Sequence, residues 1–384
     1  MSTQTKRTSL PSITDASAIV YWVPMHKAQF ISYKRTIATD SKVDELNTTS
    51  GFLLPYPKTK LLDNETIFTS AGLEIAHSSM QGYRRQMEDA HIIEDFDSIP
   101  LHTLVAVLDG HAGSGVSVHA SCRLLQVIEE TSNWRDYVVL MSKGQSGGGN
   151  AKNFTADCLS LISKALVQAF VAMDNELRES DFLDASGSTA VCAVITPSHV
   201  ICANIGDSRC VIGLKDGTCV EMTEDHKPEL EFEKKRIIDA GGFVMYDRVN
   251  GELAMSRALG DFQYKDVKVP QDKQMVTCYP DISVHERSSA DQVMCLACDG
   301  VWDVMSNSEA VLYLTEIIPR SNSSGDKNDD NDDGDGRGVK TDEKAIDLAE
   351  SLIKLALQAG STDNLSAVIV KLDDSGSKHK KKRV

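Results

Sequence analysis

Seven carboxylates stand at or near the expected ends of buried strands of this chain: Glu88, Asp89, Asp109, Asp207, Asp299, Asp303 and Asp363. Carboxylates that converge repel one another and call for a cation. With no histidine or cysteine cluster beside them, such hard oxygen ligands suit Mg²⁺ or Mn²⁺ in octahedral geometry. Two such ions about 3.5–4 Å apart favour in-line displacement at phosphorus, because they acidify a bridging water and neutralise the phosphoryl oxygens. Arg84 supplies a planar, multi-donor guanidinium suited to a phosphate. A neighbouring acid can protonate the departing oxygen. Taken singly, each fragment has a plainer reading. Asp-Gly is an ordinary turn after a strand, and two arginines followed by Glu88-Asp89 make a solvated charge cluster. Recurrence shifts the balance: LVAVLDG, ending in Asp109-Gly110, and VMCLACDG, ending in Asp299-Gly300, are two copies of one design.

The elements that must position these groups are strands buried on both faces. Leu104 to Leu108 is an unbroken apolar run, as is the run from Val293. Further strands are expected over Leu73–His77, Ala90–Phe96, Val191–Ile195, Val200–Ile205, Cys210–Leu214, Cys219–Met222, Asp281–His285 and Leu365–Leu372. Gly206-Asp207-Ser208-Arg209 is the tight link between two of them. Helical spacing marks Gly113–Glu130, Phe154–Glu179 and Glu229–Ala240, then Ser306–Ile318 with Ser306 as its cap, and Thr341–Ala359 with Gly360 as its stop. Between sheet segments runs a polar, glycine-punctuated excursion, residues 227–266, that reads as a flap over a cleft.

Composition bounds the rest. The chain has 384 residues, with 56 acidic against 40 basic side chains and a formal charge of -16. That balance argues against a nucleic-acid partner, which needs a basic footprint. Nine cysteines, scattered through apolar stretches, read as reduced core thiols. Cys295 and Cys298 point to opposite faces of a strand, so chelation by the pair is not expected. No apolar run approaches the roughly 18 residues of a membrane span. Residues 1–50 form an N-terminal extension, 51–372 a catalytic-type domain and 373–384 a basic tail. A glycine loop at Gly147–Gly149 and an acidic low-complexity stretch, 321–340, interrupt the domain. The tail's run from Lys378 to Arg383 admits a nuclear import signal, so cytoplasm and nucleus are the expected locations.

Seven motifs in order, GYRRQMEDAH, VAVLDGHAG, SGSTAV, ANIGDSR, RVNGELAMSRALGD, ACDGVWDVM and STDNLSAVIV, resemble the metal-dependent protein phosphatases of type 2C. The resemblance runs from about Gly51 to Leu372. It implies an α+β fold, a four-layer αββα sandwich of two central antiparallel sheets flanked by helices, with a flap. It implies that Asp109 bridges two metal ions, that the Gly110 carbonyl ligates one, and that Asp299 and Asp363 ligate the other. Glu88 and Asp89 would act largely through waters. Asp207 and Asp303, with Asp299, would form a weaker third-metal site. Arg84 matches the phosphate-binding arginine, Arg85 a variable position, and His111 the general acid. The implied partners are phosphorylated proteins, met by a monomer. The implied chemistry is direct attack of a bridging water on phosphoserine or phosphothreonine, with no phosphoenzyme. A cysteine route is out: at the spacing that route requires after Cys202 stands Ser208, not Arg209. Two other readings stay open on the residues alone, a phosphoprotein-binding scaffold without turnover and a small-molecule phosphomonoesterase.

Overall fold

The computed structural model describes residues 53–145, 154–180, 185–318 and 348–372. The N-terminal extension, the glycine loop, the acidic stretch, residues 341–347 of the last expected helix and the basic tail lie outside the described residues. In chain order the elements are β1 (Leu53–Phe68), β2 (Glu74–Arg84), β3 (Ala90–Asp95), β4 (Thr103–Leu108) and the two-residue β5 (Gly110–His111). Helices α1 (Gly115–Glu130), α2 (Ser132–Gln145) and α3 (Ala156–Glu179) follow. Then come β6 (Gly187–Ser188), β7 (Ala190–Ile195), β8 (His199–Ile205), β9 (Arg209–Leu214) and β10 (Cys219–Glu221). The excursion holds α4 (Glu231–Asp239), β11 (Val244–Met245), β12 (Arg248–Val249) and β13 (Leu259–Gly260). β14 (Asp281–Glu286), β15 (Asp291–Ala297), α5 (Asp299–Trp302), α6 (Asn307–Ile317), α7 (Leu348–Gln358) and β16 (Leu365–Lys371) complete the domain.

Two antiparallel sheets carry the fold, one ordered β1-β2-β16-β15-β9-β10 and the other β14-β8-β7-β4-β3. Side-chain alternation explains the layering. In β4, Leu104, Ala106 and Leu108 face α1, α2 and α3, while Val105 and Val107 face the other sheet. In β15, Cys295 and Ala297 lie under α6 and α7, while Met294 and Leu296, with Cys298 just after the strand, fill the space between sheets. Cys295 and Cys298 therefore sit on opposite sides, as their strand spacing requires. The result is the four-layer αββα sandwich, and all nine cysteines are free.

Local chemistry sets the helix ends. Thr155 caps α3 by accepting the Cys158 N–H, and Ser306 caps α6 in a full capping box with Glu309. Gly360, at φ +105°, follows α7 and lets the chain turn out of it. Helix α2 carries no clear apolar period in sequence, yet Trp134 and Tyr137 anchor it fully buried, and Thr131 Oγ1 accepts the Trp134 N–H at 3.2 Å. Among the described residues α3 alone is long and apolar enough to cross a membrane, and its apolar stripe from Cys158 to Leu177 is spent on the core.

The excursion has its own small apolar cluster, Ile237, Val249, Ala258, Tyr264 and Val276, which continues past residue 266. A fully buried ion pair pins it to α3: Lys265 Nζ meets Asp174 Oδ1 at 2.6 Å and donates to the Ala258 carbonyl at 2.9 Å. Removing either partner would strand a buried charge, at a cost of about 3–5 kcal/mol.

Two histidines, one from each sheet, meet with ring centroids 4.2 Å apart: His77 of β2 and His91 of β3. Burial first, and for His77 the neighbouring His91 as well, lowers both to about 4. A histidine whose folded pKa lies below its unfolded value of about 6.5 favours the fold above that pH and loses the contribution as pH falls towards 4. Unfolding stability, compared at pH 7.5 and 5 by denaturant titration, should therefore fall less in His77→Phe than in the wild type. An equal fall in both would remove His77 from the account.

Candidate active site

The expected site residues come from both sheets and gather at one end of the sandwich. Asp109 directly follows β4, and its turn is locked to the neighbouring β6–β7 segment: Thr189 N–H donates to the Asp109 carbonyl at 2.9 Å, and Asp109 N–H to Thr189 Oγ1 at 3.3 Å. Glu88 and Asp89 lie in the β2–β3 connection, Asp207 in the β8–β9 turn, Asp299 just after β15, and Asp363 just before β16. Asp303 lies near a strand end rather than at it. It sits one helical turn beyond Asp299, its N–H donating to the Asp299 carbonyl at 2.8 Å, because Asp299 opens α5.

Glycine makes this crowding possible. A Cβ on Gly110 would lie 2.3 Å from the Glu88 carbonyl oxygen, and one on Gly300 2.0 Å from that of Asn364. These are approaches that no side chain permits. Asn364, which motif reading passed over, braces the phosphate-side loop. Its Nδ2 donates to the carbonyls of Gln81 at 2.8 Å and Gln86 at 3.0 Å, and its Oδ1 accepts the Glu88 N–H at 2.9 Å. Gln81 in turn donates to the carbonyls of Arg84 and Arg85. One buried amide thus fixes the loop that carries Arg84, Glu88 and Asp89.

The electrostatics are those of acids short of positive charge. Burial, then the charges of Asp299, Asp89, Asp207 and Asp363, raise Asp109 well above the carboxylate range. Burial foremost pushes Asp299 up to about 8, helped by Asp207, Asp363 and Asp303. Asp89 is pushed up to about 7, again by burial first, despite the 2.7 Å hydrogen bond it accepts from Ser366 Oγ. Burial likewise raises Glu88 and Asp303. Two oxygens here, Asp89 Oδ1 and Asp207 Oδ1, are buried with no hydrogen-bond partner, a costly arrangement that a cation would relieve. Ligand atoms of Asp89, Asp109 and Cys298 fall within 4.8 Å of one another. Cys298 is a surprise at this position, but burial keeps its thiol protonated, and the S–H is spent on the Asn364 carbonyl at 3.4 Å. The oxygen-rich donor set that Asp109, Asp89, Asp299 and Asp363 offer fits a hard divalent cation.

Around the acids stand the other expected groups. Arg84, half exposed, pairs with Asp363. Burial tends to lower its pKa, but Asp363, with Asp299 and Asp109, outweighs that and raises it. An ion pair so open to water is worth at most about 1 kcal/mol, so the guanidinium can be exchanged onto a phosphoryl group. His111 Nε2 lies 2.6 Å from Oδ2 of Asp261, a buried residue with φ +49°. Glu88 accepts the Gly113 N–H at 2.7 Å beside that histidine. Asp261 was legible only as the end of the flap motif.

The family model described as protein phosphatase 2C matches residues 73–365. The chain belongs to the protein phosphatase 2C family. It is 38% identical over 329 residues to protein phosphatase ppm-1.A of Caenorhabditis elegans, a match that covers 84% of this chain and 64% of that one. It is 35% identical over 328 residues to human protein phosphatase 1B, covering 83% and 61%. The match to the Schizosaccharomyces pombe protein phosphatase 2C homolog 2 is 39% over 256 residues, 64% of this chain and 62% of the other. The chain thus spans about three fifths of the length of these relatives. In fold, this 2C-family domain is similar to the solved serine-threonine phosphatase 2C of Toxoplasma gondii. The TM-score is 0.62 at 23% identity, over 84% of this chain and 98% of that one.

Two outcomes follow for this 2C-family site. Asp299 and Asp89, near 8 and 7, hold protons at neutral pH that a cation must displace, so Mg²⁺ affinity should climb from pH 6 to 8. Their raised values also mean that the cation-free fold loses stability as pH rises, so the thermal shift given by Mg²⁺ should be larger at pH 8 than at pH 6. A shift independent of pH would contradict this. Asn364→Ala should cost about 1–3 kcal/mol in denaturant titration, since it leaves the Glu88 N–H and two carbonyls unpaired. It should also weaken cation binding measured calorimetrically; unchanged binding would refute the bracing role.

Proposed function

We propose that this chain is a metal-dependent protein phosphatase that hydrolyses phosphoserine and phosphothreonine on proteins. The observation that carries the reading is the convergence of buried and half-buried acids from both sheets, with raised pKa values on Asp109 and Asp299 and unpartnered oxygens on Asp89 and Asp207. Two Mg²⁺ or Mn²⁺ ions in the core position, with a weaker third, supply charge neutralisation and an acidified water when bound. Asp109, Asp299, Asp363 and the Gly110 carbonyl would hold them, with Glu88 and Asp89 supporting through waters and Asp207 and Asp303 at the weaker position.

The chain's own groups do the rest. Arg84, freed from Asp363, takes the phosphoryl oxygens by a forked pair of hydrogen bonds and orients the ester. His111 delivers a proton to the departing seryl or threonyl oxygen, which is otherwise a poor leaving group. Asp261, on Nε2, stabilises the ring while it is charged. The Cys298 thiol, neutral and hydrogen-bonded, is no nucleophile, which is consistent with a single displacement.

The test is phosphate release from a phosphothreonine peptide and from a nucleotide by the full chain, with Mg²⁺, with Mn²⁺ and with chelator. Release from the peptide that needs metal is expected; release from the nucleotide alone, or none from a folded protein that binds metal, would overturn the reading. His111→Gln should slow the phosphopeptide by at least tenfold more than p-nitrophenyl phosphate, whose leaving group needs no proton. Equal losses would remove His111 as the acid.

A further inference from the structure

The stem of the excursion is fastened onto the β8–β9 turn that carries Asp207. His226 N–H donates to the Gly206 carbonyl at 2.9 Å, and Gly206 N–H donates to His226 Nδ1 at 3.1 Å. The His226 carbonyl accepts from both the N–H and the hydroxyl of Ser256, at 3.0 and 2.9 Å. The next residue, Lys227, is therefore fixed at its backbone within reach of the acids. Its Nζ lies 2.5 Å from Asp207 Oδ2. The Asp207 side chain is only 3% exposed, whereas Lys227 is 30% exposed. The same ammonium is within electrostatic reach of Asp299 and Asp303. Arg209, a second cation beside these acids, is committed to Asp225 by bonds of 2.6 and 3.0 Å and to Asn307 at 3.1 Å, and Arg84 is paired with Asp363. Asp207 Oδ1 remains buried and without a partner even with Lys227 in place.

We propose that Lys227 is a tethered competitor for the weak cation position formed by Asp207, Asp299 and Asp303. The inference rests on the metal-enzyme reading above. A lysine ammonium is a single charge on a flexible stem and can leave without disturbing its backbone. A divalent ion brings twice the charge and satisfies Asp207 Oδ1, which the lysine does not reach. The two cannot sit together, since like charges at contact repel by several-fold more beside a buried acid than in water. Lys227 thus lowers the affinity of the weak position and makes its filling release one tie between the excursion's stem and the acids.

Direct Mn²⁺ binding to the full-length protein tests this, read by the electron paramagnetic resonance of free Mn²⁺. In Lys227→Gln the weak class of sites should tighten by about tenfold or more while the tight class stays put. Lys227→Arg should behave as wild type, and Asp303→Asn should abolish the weak class. Loss of all binding in the wild type would defeat the metal-enzyme reading itself. A tight class with a weak class unmoved by Lys227→Gln, or with no weak class in any form, would overturn only the competitor. A second measurement needs no variant: amine-reactive labelling of Lys227, followed by mass spectrometry, should rise when Mn²⁺ is raised to fill the weak sites. Labelling that does not change would equally overturn it.

Discussion

Like charges forced together out of water are the constraint from which this structure follows. Asp109, Asp89 and Asp299 are brought together at the sandwich end although Asp299 and Asp89 oppose the ionisation of Asp109, and Asp363 opposes that of all three. Backbone geometry enforces that proximity. Gly110 passes the Glu88 carbonyl and Gly300 passes the Asn364 carbonyl at distances open only to glycine. The strain of the arrangement is electrostatic, and a hard cation is its natural relief.

The sandwich is the frame that keeps the acids from drifting apart. Each sheet is buried on its inner face by the other and on its outer face by helices, so β4, β15 and β16 cannot slide without exposing a whole row of side chains. Asn364 then couples the start of β16 to the end of β2, and the Thr189 pair couples Asp109 to β7. The excursion is attached by the β13–β6 pairing and by Leu259 in the main core, and by three polar ties as well: Lys265 to Asp174, His226 to Gly206, and Asp261 to His111.

Much of this was legible in the sequence, and the reason is local. Strands buried on both faces write themselves as unbroken apolar runs, so β4 and β15 and the acids at their ends stand out, as does the Ser306 cap of α6. The ordered motifs extended this to Glu88, Asp207 and Asp363. What stayed hidden depends on contacts distant in sequence. Helix α2 is anchored by Trp134 and Tyr137 against a core that its own residues do not announce. Asn364 reads as one polar residue before a strand until the fold sets it against Gln81 and Gln86. Asp261 and Lys227 are single charges in a polar segment, and only the fold says which acid or imidazole each one meets. Asp303 lies near a strand end, but only the fold shows that the turn of α5 carries it there.

The central claim is that Asp109 and its neighbours form a built cation site rather than a cluster of stray charges. Its most direct measurement is anomalous diffraction from crystals grown with Mn²⁺, for the wild type and for Asp109→Asn. Two peaks at the Asp109 end of the sandwich in the wild type, both lost or weakened together in the variant, are what the account predicts. A wild-type map without peaks there, or peaks indifferent to the Asp109 substitution, would contradict it.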